Sequence, residues 1–470
     1  MRRTFLIVVS LFFISSTTSP ATASPPAPAR TGAMRSTAPA HVPVPPGSVI
    51  NGLSEPGIAG KHYSGLGSCG LTYCWAPGEP VIAVGPTDLV ETVNTQAAVY
   101  DKGTGAQLAL YHFESFWTGG TTDECVDPRT IYLPGDNRFA ISCTDITNGT
   151  SPMRFAISAT SDPTGPWYKF AAPNASFLDQ DKILATSDKF IIAGNSTGTT
   201  EDIYVYNKSD VLSGVATPVV VHLTTAHSNL YQAAVEQTYT ANGYLIATYP
   251  GSDEWLATVG GTPAAGNVSL RETDLGPTTN TPPQEPVVPG GSIGDGDLDG
   301  RAYDAVYEAV TPGHKKVIQY STADQCGSPL RDCVVSARID LSGKTPVRQY
   351  EKSIGQKGWD YTYGAVGLDA AGHVYEAYSR SNASNDPGAA ALGPGFNVTL
   401  QAATPGASSC SSTQPPPCNE RWGDYLSAAI DPSDPSSVWV TGLYQPTNGP
   451  FGGGADDWAT IIAKVSRAHH

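Results

Sequence analysis

Arg421-Trp-Gly-Asp-Tyr425 sets a guanidinium, a carboxylate and two aromatic rings directly ahead of an apolar run, Leu426 to Ile430. Similar polar openings precede apolar runs elsewhere: Asp127 and Arg129, then Asp179, Asp181 and Lys182, then Gln232, Arg301, and Tyr361 with Tyr363. Gathered at one place, they supply carboxylates for proton transfer, guanidinium forks for a carboxylate ligand and aromatic faces for a sugar ring. The matching reaction is glycoside hydrolysis, with Asp127 or Asp424 as general acid and Tyr363 as nucleophile. That departs from the usual two-carboxylate arrangement. Arg129, Arg301 and Arg421 would clamp an acidic group, while Asp179, Asp181, Lys182, Gln232, Tyr361, Trp422 and Tyr425 would line the ligand. The competing reading spends the same groups on hydrogen bonds and ion pairs between neighbouring structural units.

A second chemistry is metal binding. Asp295, Asp297 and Asp299 alternate in Asp295-Gly-Asp-Leu-Asp-Gly300, the first half of a calcium loop. The second half departs from the pattern, because position twelve is Val306 and Asp304 falls one place beyond the ninth. Calcium is therefore the cofactor expected there, against a solvated acidic turn. The eight cysteines fall into close pairs, Cys69/Cys74, Cys125/Cys143, Cys326/Cys333 and Cys410/Cys418. Nearest-neighbour disulfides are the simplest pairing, and none of the spacings is the Cys-x-x-Cys of a zinc site.

The elements that must position these groups are strands. Leu426 to Ile430 turns through Asp431-Pro-Ser-Asp-Pro435 and returns as Val438 to Tyr444. Proline presets φ there, and Asp and Ser side chains hydrogen-bond the local backbone. Comparable strand-turn-strand units begin near Glu79, Asp127, Asp179, Tyr231, Arg301 and Tyr363, about 45 to 70 residues apart, a spacing near propeller blade lengths. Long helical periodicity is absent, and Gly 49 with Pro 39 supply the many turns of an all-β chain. The expected fold is an all-β β-propeller of about seven blades, six also fitting, with its ring closed by the C-terminal strand Ala459 to Val465. A two-sheet sandwich is the alternative.

These motifs also carry a resemblance. Val84-Gly-Pro with Val93-Asn, Asp127-Pro-Arg with the Trp-ending turn Ser161 to Trp167, Arg301 ahead of a Tyr-rich strand, and Arg421-Trp-Gly-Asp-Tyr with Asp431-Pro resemble a group of secreted bacterial β-propeller proteins without assigned activity. The likeness spans roughly residues 79 to 446, and the group is distantly similar to sialidase-type propellers. It implies the fold and, through the arginine triad of sialidases, an acidic-sugar site. The sialidase Ser-x-Asp-x-Gly-x-x-Trp turn is missing, because Ser161 to Trp167 keeps different spacing.

Met1-Arg2-Arg3, the apolar run Phe5 to Ile14 and Ala21-Thr-Ala23 have the three regions of a secretory signal peptide. Residues 1–23 are therefore read as a leader, 24–48 as a Pro/Ala-rich linker and 49–470 as the propeller domain. The protein is expected to be secreted and monomeric, without a membrane span. A formal net charge of −16 repels phosphate backbones and excludes nucleic acid as the natural partner. Two functions remain: a glycan-binding and hydrolysing propeller with an axial funnel, or a non-catalytic adhesion or protein-interaction module on a surface protein.

Overall fold

The computed structural model describes residues 35–36, 58–67, 73–74, 77–94, 96–117, 125–146, 152–173, 178–195, 200–228, 230–293, 298–310, 313, 315–404, 422–446 and 458–467. The leader at 1–23 lies outside them, and so does the linker at 24–48 apart from Arg35–Ser36, whose backbone pairs with Tyr73–Cys74. Among the described residues, no helix is long and apolar enough to cross a membrane.

Among the described residues, the turn-punctuated apolar runs form five four-stranded antiparallel sheets and one eight-stranded sheet made of two such sets, seven sets among these strands. Their inner strands are, in chain order, Val81–Val84, Cys125–Leu133, Asp179–Ala185, Tyr231–Glu236, Asp304–Val310, Asp360–Leu368 and Ala428–Ile430. From each inner strand the chain steps outward, strand beside strand. Each inner strand lies against the next, and Ala428–Ile430 lies against Val81–Val84. Among the described residues, only the fourth and fifth sets share a ladder, a parallel pairing of Ala234 with Ala305 through Glu236 with Tyr307. In the seventh set, Ala459–Ser466 runs between Ser437–Tyr444 and the N-terminal Ile58–Gly67. This is β-propeller topology, and the two-sheet sandwich does not form.

Packing explains the sequence pattern. An inner strand is covered on both faces, so it reads as a continuous apolar and small-residue run, and every residue of Val81–Val84 and Asp360–Leu368 is buried. Outer strands such as Trp167–Ala171 and Val220–Thr224 alternate between half-buried and exposed positions. At Gly367 a Cβ would sit 2.6 Å from Val438 Cγ1, so the sixth and seventh sets meet at a spacing that glycine permits. Cys125–Cys143 and Cys326–Cys333 form the expected disulfides. Cys69, Cys410 and Cys418 lie outside the described residues, and Cys74 is described in its backbone alone.

Side chains latch one set to the next. Lys102 of the first set donates to the Gly85 carbonyl at 2.6 Å, to Asp431 Oδ1 at 2.7 Å and to Ser433 Oγ at 2.8 Å. Asp431 also accepts the Trp439 indole N–H at 3.0 Å and pairs with Lys464 at 3.1 Å. Burial alone would raise its pKa. Hydrogen bonds from Lys102, Ser433, Trp439 and Lys464 outweigh that and hold the carboxyl well below the usual carboxylate range. The device recurs: Lys208 donates to the Thr186 carbonyl at 2.6 Å and pairs with Asp136 of the second set at 2.5 Å. Both lysines follow a Val-Tyr-Asp or Val-Tyr-Asn triplet.

Asp431→Ala is expected to cost about 3–5 kcal/mol, because removing the carboxylate leaves the buried Lys102 ammonium without its charged partner, while Lys464 keeps Asp434 at 2.8 Å. A depressed folded-state pKa means the stabilisation is present above the unfolded value, about 3.9, and is lost as pH falls through the folded value. Urea midpoints measured from about pH 6 down to about pH 2 should therefore fall more steeply for the parent than for Asp431→Asn. Equal slopes would show that this carboxylate is not the acid-sensitive link.

Candidate functional site

One backbone device opens several inner strands. Glu79, Asp127, Gln180 and Tyr363 adopt left-handed φ values of 52°, 55°, 50° and 53°, and Gly423 has φ of 65°. A non-glycine residue there costs about 1–2 kcal/mol, so four repeats mark positions that the surrounding structure enforces. At Asp127, Gln180 and Tyr363 the ladder also shifts register, between Val126 and Arg129, Asp179 and Lys182, and Thr362 and Ala365. Each is a β-bulge, which removes one side chain from the strand alternation and re-aims it. At Gly423 a Cβ would meet the Tyr363 ring at 2.9 Å, so glycine also answers a close approach.

These openings bring groups from five sets around one cavity. Arg129, Gln180, Lys182, Tyr231, Gln232, Arg301, Tyr303, Asp424 and Tyr425 line it. Six of the residues singled out from the sequence are thus brought together: Arg129, Lys182, Gln232, Arg301, Asp424 and Tyr425. The space among them is about 10 Å³, enough for roughly one water. Side chains fill the rest. The Arg129 guanidinium lies 3.4 Å from the centre of the Tyr425 ring, while Arg301 holds Asp299 through Nε at 2.9 Å and Nη2 at 2.5 Å and also donates to Gln180. Lys182 pairs with Glu201 at 3.0 Å and donates to Asn195 at 2.7 Å. Burial works against both charges of that pair, lowering the Lys182 pKa and raising that of Glu201 to about 7.

Oxygens of Glu79, Asp127 and the cavity-lining Asp424 lie within 4.8 Å of one another, all three side chains buried. Oxygen donors at this spacing suit a hard cation. Asp127 accepts the Gln180 backbone N–H at 3.2 Å, and its own N–H goes to Asn94 Oδ1 at 2.7 Å. Asp181 accepts a hydrogen bond from Ser142. Burial raises its pKa to about 8, with Asp127 adding to the rise while Ser142, Arg129 and Lys182 oppose it. Among the described residues, then, Lys182 and Arg301 have their own carboxylates, and the charge of Arg129 opposes the upward pKa shifts of Asp181 and Asp304. That balance lacks the positive excess an acidic-group clamp draws on.

The other sequence-singled residues are placed as follows. Tyr363 is fully buried, edge-on to Tyr303 at 5.9 Å. Tyr361 stacks on Tyr378 at 4.3 Å and donates to Gln356, inside a packed apolar cluster. Asp179 pairs its backbone with Asn195, and Trp422 belongs to the largest apolar cluster. Arg421 lies outside the described residues, as do Asp295 and Asp297 of the expected calcium loop. The third carboxylate of that loop, Asp299, is engaged by Arg301. Sequence reasoning missed Glu79, Gln180 and Glu201. Glu79 had a signal: Glu79-Pro80 precedes its strand as Asp127-Pro128 does.

No protein-family model matches the chain, and no curated protein matches it. Solved structures resemble it at low identity. An ACO/RPE65 chimera is 10% identical over 73% of this chain and 72% of its own, with a TM-score of 0.39. The WD40 domain of SCAP from fission yeast is 9% identical over 87% and 90%, at 0.36. Exo-β-1,3-galactanase from Phanerochaete chrysosporium, solved with galactose, is 10% identical over 83% and 94%, at 0.32. Likenesses at this level carry no argument about activity or ligand. The propeller architecture stands on its strand order, and the resemblance to secreted bacterial propellers stays with the motifs.

Asp181 yields a pH prediction of opposite sign to that for Asp431. Its folded-state pKa is raised, so its contribution is fully present below about pH 4 and is lost as pH rises through about 8. Asp181→Asn should flatten the decline in urea midpoint between about pH 5 and about pH 9. A variant that declined as steeply as the parent would assign that titration to other buried acids.

Proposed function

We propose that this chain acts outside the cytoplasm as a non-catalytic binding module on a β-propeller frame, with an extracellular glycan or a surface protein as its partner. One observation carries the reading: the groups suited to catalysis are enclosed. Asp127 is 1% exposed, Asp424 2% and Tyr363 0%, around a space for about one water. A glycosidic bond has no approach to such an acid, and of the neighbouring cations Lys182 pairs with Glu201 and Arg301 with Asp299. The axial cluster works as a hub that joins the sets. Secretion is supported by the leader pattern and by the disulfides Cys125–Cys143 and Cys326–Cys333, which persist in oxidising compartments.

The test is a product assay run beside a binding assay. The purified protein should release no reducing sugar or free sialic acid from a broad polysaccharide and sialoside panel, while binding components of an extracellular matrix preparation. Asp127→Asn and Asp424→Asn should lower the melting temperature and leave that binding intact. Product release that disappears in Asp424→Asn would overturn the reading in favour of an enzyme.

A further inference from the structure

The outer edges of the first and second sets enclose a second cavity, of about 330 Å³, inside the size range of small-ligand sites, about 300–1,000 Å³. It lies between the outer strands Gln107–His112 and Trp167–Ala171, with the short helix Phe113–Phe116 at one end. Its walls combine Tyr111, Phe116 and Trp167 with His112, Ser115 and Lys169. The three rings contact one another at an angle rather than in a stack: Tyr111 to Phe116 at 5.2 Å, Phe116 to Trp167 at 5.9 Å and Tyr111 to Trp167 at 6.3 Å. They form a corner in which Phe116 is buried and Tyr111 and Trp167 stay half-buried.

Two of those rings are pinned by one acceptor. The Tyr111 hydroxyl at 2.8 Å and the Trp167 indole N–H at 3.0 Å both donate to the Pro163 carbonyl. Lys169 donates to the Phe116 carbonyl, with its ammonium 4.4 Å from the centre of the Phe116 ring. Among the described residues no carboxylate lines the cavity, so the lysine, the histidine and the Tyr111 phenol are its titratable groups.

We propose that this rim cavity is a carbohydrate subsite that takes one pyranose unit of a glycan chain, an inference that rests on the binding-module reading above and names its ligand class. A pyranose has an apolar C–H face and a rim of hydroxyls. The lining offers both complements: the half-buried rings of Tyr111 and Trp167, and beside them the imidazole of His112 and the hydroxyl of Ser115, with the ammonium of Lys169 lying over the Phe116 ring. Because the rings are already held by Pro163, binding costs little side-chain ordering. A purely apolar ligand would strip water from Lys169 and His112 without replacing its hydrogen bonds. A phosphate-rich ligand would find a single ammonium rather than a cluster. The lysine, unopposed by a lining carboxylate, accepts a neutral or a uronic sugar, which share the ring chemistry.

The experiment uses the whole chain and calorimetric titration with cellohexaose, laminarihexaose, chitohexaose and oligogalacturonate, alongside tryptophan fluorescence. At least one oligosaccharide should bind and perturb tryptophan emission. Trp167→Ala and Lys169→Gln should each weaken that binding at least about tenfold. Trp167→Phe, which keeps a ring in the wall, should retain most of it and confirms that the scaffold folds. Preference for oligogalacturonate lost in Lys169→Gln would mark the uronic class, and equal sensitivity of a neutral oligomer the neutral class. Binding unchanged in Trp167→Ala and Lys169→Gln would overturn the subsite while leaving the binding-module reading in place. No heat or emission change with any probe would overturn the subsite as well, whereas hydrolysis of a probe would overturn the non-catalytic reading alone.

Discussion

Neighbouring sheets in this propeller share a backbone ladder at one junction, between the fourth and fifth sets. Elsewhere side chains reaching backbone groups of the next set take that role. Asn94 accepts the Asp127 N–H, Asp127 accepts that of Gln180, Asp304 accepts that of Val366, and Ser427 accepts that of Ile82. Each such acceptor sits on or beside an inner strand with little water, where an unmet amide costs about 1–3 kcal/mol. The polar openings of the inner strands are therefore required by the way sheets are joined, before any ligand is considered.

That constraint bears on the two roles open to the axial groups. A ligand site needs donors and charges in reserve, whereas a junction consumes them. Lys182 is spent on Glu201 and Asn195, Arg301 on Asp299 and Gln180, and Arg129 lies over Tyr425. Burial then raises Asp181 and Glu201, so acids that would otherwise add repulsion near the axis carry protons more readily. The left-handed residues at Glu79, Asp127, Gln180 and Tyr363 fit the same account: bulging the strand turns one side chain toward the neighbouring set at a modest conformational cost.

The fold class was legible because strand alternation and turn chemistry are local. Asp431-Pro, Asp369-Ala-Ala-Gly and Gly85-Pro-Thr-Asp announce their hairpins within a few residues, and blade spacing follows. The convergence of Arg129, Lys182, Gln232, Arg301, Asp424 and Tyr425 was legible for a related reason, since equivalent positions of repeated units meet near one axis. What each does there was not. Whether Arg301 reaches a ligand or Asp299 depends on a loop conformation without periodic signature. The Lys102–Asp431 latch joins residues hundreds of positions apart, and the rim cavity joins the outer strands of two sets, whose sequences carry no shared motif.

The same packing logic favours the rim over the axis for the proposed carbohydrate subsite. An inner strand is buried on both faces and tied into its neighbours, so a change there disturbs two sheets at once. An outer strand such as Gln107–His112 alternates half-buried and exposed residues and lacks a partner strand on its far side. Elements with fewer buried contacts change sequence and adjust locally at small cost to global stability. Aromatic residues placed there, Tyr111 and Trp167, are fixed by one carbonyl of a surface turn rather than by the axial network. Recognition at the edge is thereby uncoupled from the charge balance that joins the sets at the centre, and either can vary without undoing the other.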